Sequence, residues 1–228
     1  MKKNAFTRFN FSNFWHQLLL FLAFFIAFII AVFPQGWQGH LYRSGLSLLF
    51  FSALMTINKH RRAFLGPVLF AIAIQWIASV FDLNFLEMTS KLLNFLFFLY
   101  MTVYFIREIV IAGKVTSRVI LESIIGYLML GIVFSIFVGF LVQVDAAMFS
   151  FPDVPGGINY SHFNEHLYFG FVTLSTLGYG DIVPLLPISR SLSILISVSG
   201  QLYLAIIIAL LVGKYASKKE PPPATPPV

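Results

Sequence analysis

Six long apolar runs, parted by short polar or basic breaks, dominate the chain at about residues 14–33, 41–57, 63–81, 92–111, 120–144 and 190–213. A helix rises about 1.5 Å per residue, so about 20 apolar residues span a hydrocarbon core about 30 Å thick. The runs meet or approach that length and predict six transmembrane helices. A shorter apolar stretch, 163–177, lies between the fifth and sixth runs and is too brief to cross. Backbone at membrane depth that is not helical survives only where protein or a water-filled cavity satisfies its polar groups. The stretch therefore predicts a short re-entrant helix over 161–175, followed by a loop rich in glycine that faces an aqueous path. The fold class expected is an all-α membrane protein with six transmembrane helices and one re-entrant helix and loop.

Composition agrees with this pattern. Of 228 residues, 58% are hydrophobic and 11% charged, which excludes a water-soluble domain of this length. The chain has no cysteine, so disulfides and thiolate metal sites are excluded. The net charge of +6 does not point to nucleic acid, because the basic residues cluster between apolar runs, where they orient a membrane protein. Of the 15 Lys and Arg, only Arg43, Lys91 and Arg190 fall on one side of the predicted bilayer. The excess on the other side predicts cytoplasmic N- and C-termini. Trp15, Trp37 and Tyr42 sit where an interfacial aromatic belt is expected. Lys2, Lys3 and Arg8 ahead of the first run suggest a signal peptide, but that run is too long and no small-x-small site follows, so a retained helix is expected. The triplet Asn159-Tyr160-Ser161 matches a glycosylation acceptor, a pattern that often arises by chance.

The chemistry concentrates in Thr176-Leu177-Gly178-Tyr179-Gly180-Asp181. Glycines at alternate positions admit backbone conformations that other residues disfavour, so successive carbonyls can turn toward one axis. Rings of carbonyl oxygen, with the Thr176 hydroxyl, can replace the hydration shell of a potassium ion. The segment Thr173-Leu174-Ser175-Thr176-Leu177-Gly178-Tyr179-Gly180-Asp181 resembles the potassium-channel signature Thr-x-x-Thr-Val-Gly-Tyr-Gly-Asp, with Leu177 in place of the commonest Val and Pro184 at the family's interval after Asp181. The resemblance covers about residues 120–213.

It implies a homotetramer in a lipid bilayer around one pore, with K+ as the permeant ion and Thr176, Leu177, Gly178 and Tyr179 as its filter ligands. Gly180, Asp181, Tyr168, Phe169 and Val172 would scaffold that filter. Tyr168 and Phe169 stand where many members carry two tryptophans; Tyr168 can donate to Asp181, whereas Phe169 offers the Tyr179 hydroxyl nothing, so a cuff held partly by stacking is expected. Val172 stands where some bacterial members carry a buried Glu. Gly200 matches the hinge glycine of the inner helix, with close packing as the alternative. Leu204, Ile208 and Val212 follow at intervals of four and form either an apolar gate or a packing face. Gln201 and Tyr203 are polar enough to line the cavity or bridge helices.

The expected organisation is a cytoplasmic N-terminus over 1–13, four helices without voltage-sensing function over 14–113, a pore domain over 114–213 and a disordered proline-rich tail over 214–228. The fourth run carries Arg107 alone, beside Glu108, whereas voltage sensing needs several charges at about 2.3 kcal/mol each per 100 mV. Gln75, Asn94, Tyr100 and Tyr104 are expected to form hydrogen bonds between helices rather than a site. No nucleophile, base or metal cluster suggests an enzyme, and neither a nucleic-acid partner nor a soluble ligand-binding domain is expected. The expected function is passive potassium conduction without voltage gating, in a bacterial inner membrane. A weakly selective cation channel and a non-conducting membrane scaffold remain the alternatives.

Overall fold

The computed structural model describes residues 11–57, 61–81, 84–113, 115–151 and 163–217. Lys2, Lys3, Arg8, the Asn159-Tyr160-Ser161 triplet and residues 218–228 lie outside them, so the readings placed there have no structural counterpart.

Each apolar run forms a helix. They are α1 (Phe11–Phe24), α2 (Gln35–Thr56), α3 (Arg61–Phe81), α4 (Asn84–Ile111), α5 (Ser117–Val144) and α7 (Pro187–Ser217), with the shorter α6 (Phe163–Leu174) between the last two. After α1 the chain continues as one π turn, Phe25–Ile29, and one 3-10 turn, Ile30–Val32. Thr116 caps α5, its hydroxyl accepting from the Val119 amide. Two-residue strands β1 (Phe149–Ser150) and β2 (Val183–Pro184) pair antiparallel, Phe149 opposite Pro184. Ser189 Oγ donates to the Met148 carbonyl at 2.7 Å, so this pair ties the end of α5 to the start of α7.

Among the described residues, four helices are long and apolar enough to cross a bilayer: Phe14–Val32, Phe85–Ile111, Ser117–Val144 and Pro187–Ala216. The chain is thus an all-α membrane protein. α2 starts at Gln35 rather than at 41, taking in Gln38, His40, Arg43 and Ser44, and α3 contributes the shorter apolar stretch Leu65–Phe81 among the described residues.

α5 is the central element. Its window is 72% buried, against 22% for α7, as befits a helix that is apolar all round. One side packs with α1, α2 and α4 in a core of Leu19, Phe50, Phe98, Met101 and Ile132. Its other side joins α6 and α7 around Phe134, Phe169, Leu174, Ile196 and Tyr203. Both α1 and α4 therefore pack on α5 of their own chain. The break between Ile111 and Ser117 is too short to carry α5 elsewhere, and short connections make antiparallel neighbours. α6 lies close against α5 because Gly131 faces the Phe171 ring and Gly170 faces Ser135, where added Cβ atoms would collide.

Candidate functional site

α6 ends at Leu174, and the candidate filter begins two residues later, at Thr176. The helix does not simply fray. The Ser175 amide still bonds the Phe171 carbonyl at 2.9 Å and the Thr176 amide the Thr173 carbonyl at 3.0 Å. Next, two consecutive amides, Leu177 and Gly178, both donate to the Val172 carbonyl, at 3.0 and 3.3 Å. In a planar trans peptide the carbonyl points opposite to the N–H that follows it. The Thr176 and Leu177 carbonyls are therefore turned the same way, away from α6.

Backbone dihedrals extend this arrangement. φ is positive at Thr176 (62°), Gly178 (53°) and Gly180 (79°), so every second residue is left-handed. In a strand of uniform hand, successive groups alternate sides; alternating the hand keeps the carbonyls on one side. Gly178 and Gly180 take this conformation without a Cβ penalty. Thr176 is β-branched, and left-handed backbone there is disfavoured by about 1–2 kcal/mol. It is held in place by its own hydroxyl, which donates to the Ser175 carbonyl at 2.6 Å, and by Gln201 Nε2, which donates to Thr176 Oγ1 at 3.1 Å. The arrangement is a row of carbonyl dipoles facing one direction, with a hydroxyl at its foot.

The family model described as "Ion channel" matches residues 142–216, which run from the end of α5 through α6 and the carbonyl row to the end of α7. Over this segment the chain is similar to that ion-channel family, which supports the resemblance to the potassium-channel pore-loop superfamily. No curated protein and no solved structure matches the chain.

The remaining residues of the pore-loop segment fall around the carbonyl row. The Tyr168 hydroxyl donates to Asp181 Oδ2, and Asp181 Oδ1 accepts from the Ile182 amide at 3.0 Å. The Tyr168 bond, ahead of the backbone bonds, holds the Asp181 carboxyl below the usual carboxylate range. Phe169 packs toward β1. Its ring stands edge-on to Phe149 of β1, 5.1 Å between centroids, and is buried there, so within the chain it does not stack on Tyr179, which is 68% exposed. The reason is the β1–β2 pair, which carries Phe149 over α6. Val172 and Phe169 border a cavity of about 190 Å³ behind Gly178, Tyr179 and Gly180.

Gly200 is a contact residue. A Cβ there would collide with the Leu174 carbonyl at the end of α6, and α7 runs unbroken from Pro187 to Ser217. Leu204, Ile208 and Val212 do not continue toward α6 and are uncovered within the chain. Each step of four residues turns about 40° beyond a full circle, so the row drifts off the Gly200 side. It falls below Gln201, the residue that reaches Thr176. Sequence reading left Gln201 and Tyr203 undecided between two roles, and the structure divides them: Tyr203 bridges to α5, its hydroxyl donating to the Ser123 carbonyl at 2.6 Å. One further tie escaped the sequence. Lys214 Nζ donates to the Ile109 and Val110 carbonyls at 2.6 and 2.9 Å, fastening the end of α7 to the last turn of α4. A lysine near the end of a helix is a signal for capping carbonyls, but only the packing names a neighbouring helix as the partner.

Proposed function

We propose that four copies of the chain surround one pore and conduct K+ passively, with Thr176, Leu177, Gly178 and Tyr179 supplying filter ligands and Gly180 and Asp181 closing the filter at its outer mouth. The observation that carries this reading is the pair of amides, Leu177 and Gly178, that share the Val172 carbonyl while Thr176, Gly178 and Gly180 alternate in hand. Carbonyls so aimed replace water around a dehydrated cation, at field strengths that favour potassium over sodium. One chain supplies one row, and a cage around an ion needs several, so a closed ring is required; the superfamily resemblance sets it at four. The uncovered face of α7 and the exposed Tyr179 ring support neighbours at those positions.

In this reading α6 is the re-entrant pore helix, its negative end aimed at the cation path below Thr176. The α7 face bearing Gln201, Leu204, Ile208 and Val212 lines the path beneath the filter, apolar enough to close by dewetting. Voltage is not the trigger, because over 92–111 α4 carries Arg107 alone, exposed in its last two turns, and its other basic residue, Lys91, is paired with Glu87 near the start of the helix. Both termini are cytoplasmic and the filter mouth faces out, in a bacterial inner membrane.

A second reading, a weakly selective cation channel, draws on the Val172-lined cavity and on Phe169 lacking a donor for Tyr179. One experiment separates the two. Purified protein in liposomes is assayed for K+ and Na+ flux, alongside Gly178→Asp. Strong K+ preference that the substitution abolishes is the expected result; equal Na+ flux favours the second reading, and no flux from an assembled tetramer refutes conduction.

A further inference from the structure

Beside the pore segment opens a polar cavity that the proposed conduction does not use, lined by α2, α3 and α4 with α5 and α6 at its floor. It has a volume of about 280 Å³. Two amides face it with an acceptor unsatisfied. Gln75 is 7% exposed, and its Nε2 donates to the Arg43 carbonyl at 3.3 Å, which fixes the amide orientation and leaves Oε1 buried without a partner. Asn94 is 5% exposed and its Oδ1 is likewise unpartnered. The expectation that these residues simply bridge helices is therefore met for one atom of Gln75 and not for the two oxygens. A buried polar atom left without a partner costs about 1–3 kcal/mol, so two of them on one wall call for an occupant that donates.

The charges complete the pattern. Lys91 Nζ and Glu87 Oε1 pair at 3.0 Å across one turn of α4, with Glu87 half-exposed at the rim. Arg43, half-buried in the lining beside Gln75, has no ion pair among those the described residues show, His16–Glu122, Lys91–Glu87 and Arg118–Glu122. Its planar guanidinium matches the edge of an oxyanion. One lone cation and two lone acceptors, set in a cavity below the size of a typical drug pocket, are complementary to a small molecule with an anionic end and an N–H end.

We propose that this cavity binds a zwitterion, its oxyanion on Arg43 and its ammonium on Gln75 Oε1 and Asn94 Oδ1. The same chemistry is offered by a free amino acid and by an ethanolamine phospholipid headgroup, since Arg43 and Lys91 both fall in the N-terminal halves of their helices, toward a helix end where headgroups would lie. The floor of the cavity belongs to the pore segment. Gly139 of α5 lets His166 of α6 approach so closely that a Cβ on Gly139 would lie 2.7 Å from its Nδ1, and both residues line the cavity. An occupant thus touches the helix that ends below Thr176. The binding claim is independent of conduction; only its effect on flux rests on the channel reading.

The full chain is placed in nanodiscs of pure phosphatidylcholine and titrated with L-serine, with O-phosphoethanolamine, and with the matched probes N,N,N-trimethylglycine and phosphocholine, which keep both charges but have no N–H. A parallel set of nanodiscs contains phosphatidylethanolamine. Binding is read by thermal shift and calorimetry, and K+ flux is read separately.

The expected result is saturable stabilisation by L-serine or O-phosphoethanolamine, or by the phosphatidylethanolamine nanodiscs, with each trimethylated probe at least tenfold weaker. Arg43→Gln and Asn94→Leu each weaken binding roughly tenfold or more, and Arg43→Lys restores part of it. Asn94→Leu removes an unsatisfied atom, so the ligand-free variant keeps or raises its melting temperature, which separates loss of binding from loss of fold. Response to the soluble probes identifies a free zwitterion as the source, and response confined to the lipid identifies the headgroup. The proposal is overturned by no saturable response in any arm, by equal binding of the trimethylated probes, or by binding that survives both variants. Binding without any change in flux overturns the link to the pore alone.

Discussion

Gly200→Ala decides between a hinge and a contact, because the two roles predict opposite signs. Alanine is about 1 kcal/mol better than glycine in a helix interior. If Gly200 only loosened α7, the substitution would stiffen and stabilise it. In the structure, however, the added methyl meets the Leu174 carbonyl, a backbone group that cannot rotate aside as a side chain would. Overpacking of this kind costs about 1–3 kcal/mol, at the upper end where the obstacle is backbone. The net effect is a loss of about 1–2 kcal/mol per subunit after the helical gain. For a chain of this size that corresponds to a fall of roughly 2–8 °C in melting temperature. Gly213→Ala is the control. It lies in the same helix with no neighbour within 4 Å, so it carries the helical gain without the collision. Tryptophan-fluorescence melting of the two variants in detergent gives the comparison. A Gly200→Ala protein as stable as wild type, or more so, refutes the contact reading and restores the hinge.

Two further outcomes follow from the charged groups. Glu122 is almost wholly buried on α5 and takes Arg118 Nε at 2.7 Å and His16 Nε2 at 3.2 Å on one oxygen, joining α1 to α5. Glu122→Ala removes the acceptor that buried His16 and the partly exposed Arg118 share and is expected to destabilise by about 1–3 kcal/mol, with Glu122→Gln milder because it keeps an acceptor; chemical denaturation indistinguishable from wild type for the Ala variant counts against the triad. The Asp181 carboxyl, held low by Tyr168, contributes above its unfolded value near 3.9 and loses that contribution only as pH falls through its lower folded value. Flux is therefore expected to be flat in outer pH from 7 to 5, with acid inhibition beginning at higher pH in Tyr168→Phe than in wild type; the same onset in both refutes the clamp.

Hydrophobic periodicity and run length were enough to place every helix, because apolar residues in sequence have few options in a bilayer, and backbone satisfaction makes them helical. Unusual backbone at Gly178 and Gly180 was equally legible, since glycine admits the left-handed conformation that both adopt. The surroundings were not. Gly200 against Leu174, Gln201 on Thr176, Tyr203 on Ser123 and Lys214 on the last turn of α4 all depend on how each helix is rotated about its axis. α5 is apolar nearly all round, and the polar row Ser189, Ser193, Ser197 and Gln201 on α7 does not name the element it faces, so their sequences leave that rotation open. Glycine pairs and interhelical hydrogen bonds set it, through close approach in three dimensions. The same reason hid the lone acceptors of Gln75 and Asn94: on sequence, each amide was one more polar group seeking a partner, and only the packing of four helices shows which atoms found one.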